Sequence, residues 1–273
     1  MLRLFLRYLH LLLLAYNHIR EYFDEKITAL AILLGFVSVN AAAAQDNSFQ
    51  HEAGLKYSAN SEEFSDGLWN ANYRYYISPV DQTKGPYALN GFLAQTSNVG
   101  VNYSNYDESD LDTIGVDGTY VFASKWFIAA NYQRSEIGSF DWNTYGAEVG
   151  YYFNDSSAVS AFYNDGSDSI EESYGLKVRS FIALQSTTGV DLSANWTHQD
   201  SDDTFNLGAD WYVTKSWSVG LGYTDDGHDD TFVLKTAYWL RLSDSFSANF
   251  ELARELDSDA DGVFIGLGLT GRF

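Results

Sequence analysis

Apolar and polar residues take turns along most of this chain. In Leu68–Ile77, one side of an extended backbone would carry Trp69, Ala71, Tyr73, Tyr75 and Ile77, and the other Asn70, Asn72, Arg74 and Tyr76. The stretch 204–213 divides into Phe205, Leu207, Ala209, Trp211 and Val213 against Asn206, Gly208, Asp210 and Tyr212. In 217–224, Trp217, Val219, Leu221 and Tyr223 oppose Ser218, Gly220, Gly222 and Thr224. A period of two predicts strands with one oily face. Tight polar turns recur at Ala123-Ser124-Lys125, Asn154-Asp155-Ser156-Ser157, Gln185-Ser186-Thr187-Thr188, Thr214-Lys215-Ser216 and Ser243-Asp244-Ser245. Between them lie acidic connections such as Asp107-Glu108-Ser109-Asp110 and Asp225-Asp226-Gly227-His228-Asp229-Asp230. Two strands, a tight turn and a looser acidic loop in each cycle make an up-and-down hairpin repeat.

The expected strands are 48–60, 68–77, 87–105, 112–122, 126–135, 142–153, 158–165, 172–184, 189–199, 204–213, 217–224, 231–241, 245–255 and 262–273. These are fourteen, an even number, as a closed single-chain barrel of the bacterial outer membrane requires. Twelve or sixteen are the alternatives, because the long third strand could break near Thr96-Ser97-Asn98. The expected fold is therefore all-β, an antiparallel up-and-down transmembrane barrel.

Alternation alone does not say whether the oily face meets a dry core or lipid. Two features of the chain choose lipid. Val263, Ile265, Leu267, Leu269 and Phe273 share one parity, so the last strand ends on an aromatic residue. Phe273 has the form of the terminal signal read by the outer-membrane barrel assembly machinery. Near the other end, Lys26 precedes an apolar run to Val39 and then Ala41-Ala42-Ala43-Ala44-Gln45. A basic residue, a short apolar stretch and an A-x-A site make a cleavable signal peptide. Residues 26–44 are read as that signal, 1–25 as an over-extended translation start, and 45–273 as one barrel domain. With Phe273 on the periplasmic side, all five tight turns fall there and the acidic connections face outside.

Composition sharpens this picture. The chain has 20 Tyr, 18 Phe and 7 Trp but only 2 Pro and no Cys, a profile that suits a membrane barrel. Removing the four basic and three acidic residues of 1–44 leaves 12 basic and 34 acidic, a net charge of −22. That excludes a nucleic-acid partner, since phosphates call for basic patches.

A barrel in lipid turns its polar face inward. The charged inward positions, and hence the pore-lining candidates, are Arg74, Asp117, Glu148, Lys177, Arg179, Asp191, Asp210, Lys235, Glu251 and Arg272. Five acids and five bases could build a salt-bridge lattice in the wall or a transverse field across a pore. Lys235 and Glu251 flank the turn at Asp244 and are expected to face each other, as oppositely charged cross-strand pairs do. Trp126, Trp142, Tyr151, Phe153, Trp211, Trp217 and Trp239 are candidates for the aromatic girdle at headgroup level. The connections are short, so no plug or constriction loop is expected, and little is available to latch a trimer.

Candidate chemistry is sparse. Asp257-Ser258-Asp259-Ala260-Asp261-Gly262 matches the opening of a calcium loop, but its twelfth position is Gly268 where the motif wants Glu. Loose bridging of divalent cations to lipopolysaccharide fits the acidic loops better than a dedicated cage. His228 sits among Asp225, Asp226, Asp229 and Asp230, and an Asp–His pair can activate water. An incidental His in an acidic loop is the plainer reading. No catalytic, cofactor or metal residue is assigned.

One stretch carries more than periodicity. Tyr75-Tyr76-Ile77-Ser78-Pro79-Val80-Asp81, followed by Gly85-Pro86-Tyr87-Ala88-Leu89-Asn90-Gly91-Phe92-Leu93-Ala94-Gln95-Thr96-Ser97-Asn98-Val99, resembles the general bacterial porin family. The family pattern runs from a YYF-x-PV-D strand end to GP-x-x-L-x-x-FL-x-R-x-S-x-V. This chain departs at Gln95, where the pattern has a basic residue, and at Gly271, where the terminal signal often has an aromatic. The resemblance implies an outer-membrane channel. The expected function is a water-filled porin passing small hydrophilic solutes, with mild cation preference from its acidic mouth and with outer-membrane lipid and lipopolysaccharide around it. The alternative is a non-conducting structural or adhesion barrel whose acidic loops bind cations.

Overall fold

The alternating segments have no helical apolar stripe, so each can hide its backbone polar groups only by pairing with neighbours. In hydrocarbon that pairing must close on itself, because an open edge would leave N–H and C=O groups without partners. The computed structural model describes residues 47–167, 170–256 and 262–273. The expected signal peptide, the 1–25 prefix and all but Gly262 of the calcium-like hexapeptide lie outside the described residues.

Fourteen strands form a closed antiparallel barrel in which every strand pairs with its chain neighbours. They are β1 (Ser48–Asn60), β2 (Leu68–Asp81), β3 (Asn98–Tyr106), β4 (Leu111–Val121), β5 (Trp126–Ile137), β6 (Phe140–Asn154) and β7 (Ser157–Gly166). The second half continues with β8 (Ser173–Ala183), β9 (Gly189–Gln199), β10 (Asp202–Tyr212), β11 (Trp217–Asp225), β12 (Asp230–Arg241), β13 (Phe246–Glu255) and β14 (Phe264–Arg272). The seam joins β1 to β14, from Glu52 opposite Arg272 to Asn60 opposite Phe264. Beyond the ladder, the Phe273 carbonyl accepts from the Gln50 and His51 N–H groups, and the Phe273 N–H donates to His51. The five tight turns share this end of the barrel with Phe273, as the parity argument required.

Large apolar side chains cover the outside. Ile114, Leu269, Ile128, Leu207 and Leu267 are all exposed there. In water such a surface would be an aggregation hazard; in lipid it is the solvated face.

The third expected strand is corrected. Residues 87–95 are not extended. Tyr87–Leu89 forms a 3-10 turn and α1 (Asn90–Ala94) a single short helix, after which β3 begins at Asn98. Leu89, Phe92 and Leu93 stand at i, i+3 and i+4, a helical rather than a strand spacing. Pro86 enters in an extended conformation, and Gln95 at φ 47° ends the helix in the left-handed region. The strand count stays at fourteen, because the rest of the expected third strand, from Asn98 onward, still pairs with its neighbours as β3.

Candidate functional site

The segment 82–97 joins β2 to β3 at the end that carries Ser48 and Phe273, and it folds into the barrel. Its entry is a local turn in which Asp81 Oδ1 accepts from the Thr83 N–H at 2.7 Å and from the Thr83 hydroxyl at 2.6 Å. Gly85 follows at φ 63°, a conformation that a side chain would strain. Asn90 is 1% exposed and donates from Nδ2 to the Lys84 carbonyl at 2.8 Å, tying the segment to itself.

Inward aromatic residues receive this segment. Leu89 and Leu93 pack with Phe181 and Tyr212, and Phe92 lies against them. Phe92 also touches the cluster of Phe127, Tyr152 and Ala158. Ala94 packs on Phe49, Tyr76 and Val80, with Phe49 turned inward by the β-bulge between it and His51. Burying a side chain of this size contributes about 2 kcal/mol, so the segment is held firmly. The expectation of an unobstructed lumen is therefore corrected. The connection is only sixteen residues long, and its fate depended on partners scattered over β1, β2, β5, β6, β7, β8 and β10.

Polar tethers fix the segment at points around the rim. The Tyr87 N–H donates to the Lys215 carbonyl at 3.0 Å, and Lys215 Nζ donates to the Thr83 carbonyl at 2.6 Å. Gln95, the departure from the family pattern, donates from Nε2 to the Asn154 carbonyl at 2.7 Å. Arg272 is the most heavily used. Its Nε donates to Glu52 Oε2 at 2.7 Å, Nη1 to Asn90 Oδ1 at 3.1 Å and Nη2 to the Tyr87 carbonyl at 3.0 Å. Its guanidinium also lies 4.7 Å from the Phe49 ring centroid and 4.5 Å from that of Trp239.

All ten charged candidates carry the inward parity and all are in ion pairs. Arg74 and Asp117 form a two-pronged bridge at 2.7 and 2.9 Å. Lys177 meets Glu148 at 2.9 Å, Arg179 meets Asp191 at 2.8 Å, and Lys235 meets Asp210 at 3.0 Å. Glu251 pairs with Lys56, and Arg272 with Glu52. Sequence reasoning missed Glu52 and Lys56, although both lie on the polar parity of β1. The expected Lys235–Glu251 pair does not form. The hairpin pivots on Asp244, which sets Lys235 opposite Ala253 and Glu251 opposite Ala237.

Several bridges span an intervening strand where it carries glycine. Gly100 lies between Arg74 and Asp117 in the register, and Gly220 between Lys235 and Asp210. A Cβ on Gly220 would come within 2.0 Å of Asp210 Oδ1 and 2.8 Å of Lys235 Cε. The glycine is thus the gap through which the pair meets. The six inward pairs sum to no net charge among the described residues, which makes a lattice of the wall and leaves little transverse field.

Two girdle assignments are corrected. Trp239 has the inward parity of Lys235 and stacks on Arg272, and Trp142 has the inward parity of Glu148. Trp126, Trp211 and Trp217 face outward and are exposed. Tyr151 and Phe153 share the outward parity of Val149. In the outer loop at 226–229, Asp226 Oδ1 accepts from the backbone N–H groups of His228 at 3.0 Å and Asp229 at 2.8 Å. Those bonds hold its carboxyl below the usual carboxylate range and give it a turn-forming role. No group of three or more acidic or imidazole side chains among the described residues is placed to hold a metal ion.

A family model described as "putative general bacterial porin" matches residues 25–172, more than half of the chain. The Acinetobacter baumannii outer membrane protein Omp33 has a similar fold, with a TM-score of 0.66 at 22% identity over 84% of this chain and 100% of that one. Two looser likenesses, which carry no argument, are the KdgM porin in complex with disordered oligogalacturonate and Pseudomonas putida OprB. The first has a TM-score of 0.42 at 8% identity, covering 81% of this chain and 99% of that one. The second has a TM-score of 0.41 at 11% identity, covering 86% and 96%. No curated protein sequence matches the chain at a significant level. A closed fourteen-strand barrel, apolar outside and polar inside, joins the family match in one conclusion: this outer-membrane protein belongs to the general bacterial porin family.

Proposed function

We propose that the barrel is a channel for passive diffusion of small hydrophilic solutes, with mild preference for cations, and that segment 82–97 closes its periplasmic end at rest. The observation that carries this reading is the contrast within the lumen. Toward the outer mouth the inner face is amide, glycine and paired charge, which water wets; toward the turn end the apolar residues of 82–97 fill the aromatic collar. Arg74, Asp117, Glu148, Lys177, Arg179, Asp191, Asp210, Lys235 and Glu251 are the proposed pore lining. With these charges balanced, selectivity falls to the unbalanced acids of the outer loops, which attract cations over a Debye length.

Phe273 is the proposed assembly signal, read by the barrel assembly machinery before it packs edge-on against Phe246 at 5.4 Å. Lipopolysaccharide is the proposed neighbour of the acidic rim.

The test is planar-bilayer recording of refolded residues 45–273 beside a Leu89→Ser, Leu93→Ser variant. Openings that are rare in the parent and frequent in the variant support a channel closed by the segment. Silence from both favours the second reading, a non-conducting structural or adhesion barrel, for which the seated segment also speaks.

A further inference from the structure

The inner face of β2–β5 carries a row of polar groups that the salt-bridge lattice does not use. Asn70, Asn72, Asn102, Asn131 and Gln133 border one recess of about 210 Å³. None of these five amides hydrogen-bonds to another group among the described residues. Other inward asparagines are engaged: Asn98 accepts from Arg74, Asn206 accepts from Thr224, and Asn249 donates to Thr270. The free amides are thus concentrated on one arc of the wall.

The recess exists because of a glycine. Asn72, Asn102, Gly115 and Gln133 stand side by side across β2, β3, β4 and β5. A Cβ on Gly115 would come within 2.3 Å of Asn102 Oδ1 and 3.0 Å of Gln133 Cγ. A larger residue there would fill the space between the two amides. At the edge of the recess the Arg74–Asp117 pair is already satisfied in both prongs and brings no net charge.

We infer that this recess is a binding station for a neutral polyhydroxylated solute of monosaccharide size. Each side-chain amide offers both donors and an acceptor, as each hydroxyl does. A guest with several neighbouring hydroxyls can therefore satisfy several amides at once. A charged guest finds no free counter-charge and would have to give up hydration without one. The volume lies below the ~300 Å³ at which drug-sized pockets begin, which suits one sugar ring. This inference rests on the reading of the lumen as open to solutes, but its test does not require flux.

The experiment is equilibrium dialysis of radiolabelled glucose against refolded residues 45–273 in detergent, with parallel liposome-swelling measurements. The expected result is saturable binding at one site, displaced by unlabelled sorbitol and not by glycine or gluconate. Gly115→Val and Asn102→Leu should each raise the dissociation constant at least tenfold. Asn131→Ala, at an exposed and structurally tolerant position, should raise it severalfold even if the other two fail to refold. Absence of saturable binding in the parent, equal displacement by glycine or gluconate, or parent-like affinity in the refolded variants would each overturn the assignment. Swelling without glucose binding would remove the station and spare the channel. Glucose binding without swelling in either the parent or the Leu89→Ser, Leu93→Ser variant would spare the station and remove the channel.

Discussion

At the scale of single residues, Arg272 joins parts that the chain keeps far apart. It sits on the last strand, pairs with Glu52 on the first, and donates to Asn90 and Tyr87 of the inner segment. At 5% exposure it has almost no water to fall back on. Removing one partner of a buried pair costs about 3–5 kcal/mol. Arg272→Gln should therefore lower the unfolding free energy of the barrel in lipid vesicles by about 3 kcal/mol, read as an earlier denaturant midpoint. The same variant should open more often in bilayers, since two of the segment's tethers go with the guanidinium. Gly220 offers a second test. Gly220→Val would drive a side chain between Asp210 and Lys235, and overpacking of this kind typically costs about 1–3 kcal/mol. Gly138, with open space where its Cβ would be but φ 60°, should tolerate Asn far better than Val.

At the scale of elements, 82–97 decides what the barrel does. Its apolar side chains have the spacing of a helix, so it cannot serve as a wall strand without turning some of them into water. Packing against the inward aromatic collar hides them instead. Replacing 85–95 by a short glycine-serine turn should leave the fourteen strands intact by circular dichroism, because the ladder from Leu68–Tyr106 to Tyr76–Asn98 lies outside the replaced stretch. Single-channel conductance should then rise severalfold over the parent. An unchanged conductance would place the limiting constriction elsewhere in the lumen.

At the scale of the whole molecule, charge is sorted by depth. The wall pairs its charges, while the outer loops carry many more acidic than basic residues. Reversal potentials of an opened variant in a tenfold salt gradient should show cation preference at low ionic strength. The preference should fade as salt shortens the Debye length toward ~3 Å at 1 M. Anion preference would mean that the lumen bases near the turn end, Lys215 and Arg241, control selectivity instead.

Alternation, turn chemistry and the terminal aromatic were legible in the chain because each is local. A strand's parity is set by its neighbours one and two residues away, and it assigned ten inward charges to the correct face. Fourteen strands and the common end of the five tight turns followed from the same local rules. Which charges meet is not local. Lys235 meets Asp210 across the glycine of the intervening strand, and it lies nine residues before the Asp244 pivot where Glu251 lies seven after it, so the hairpin register sets neither opposite the other. Trp142 and Trp239 looked like girdle residues by type, yet each shares the parity of an inward charge, Glu148 and Lys235, so their inward placement was legible in the chain. The inner segment depended on tertiary structure most of all. Its i, i+3, i+4 spacing was present to be read, but a five-residue helix has no stability of its own. Only the closed barrel gathers side chains from seven strands into a site that can hold it.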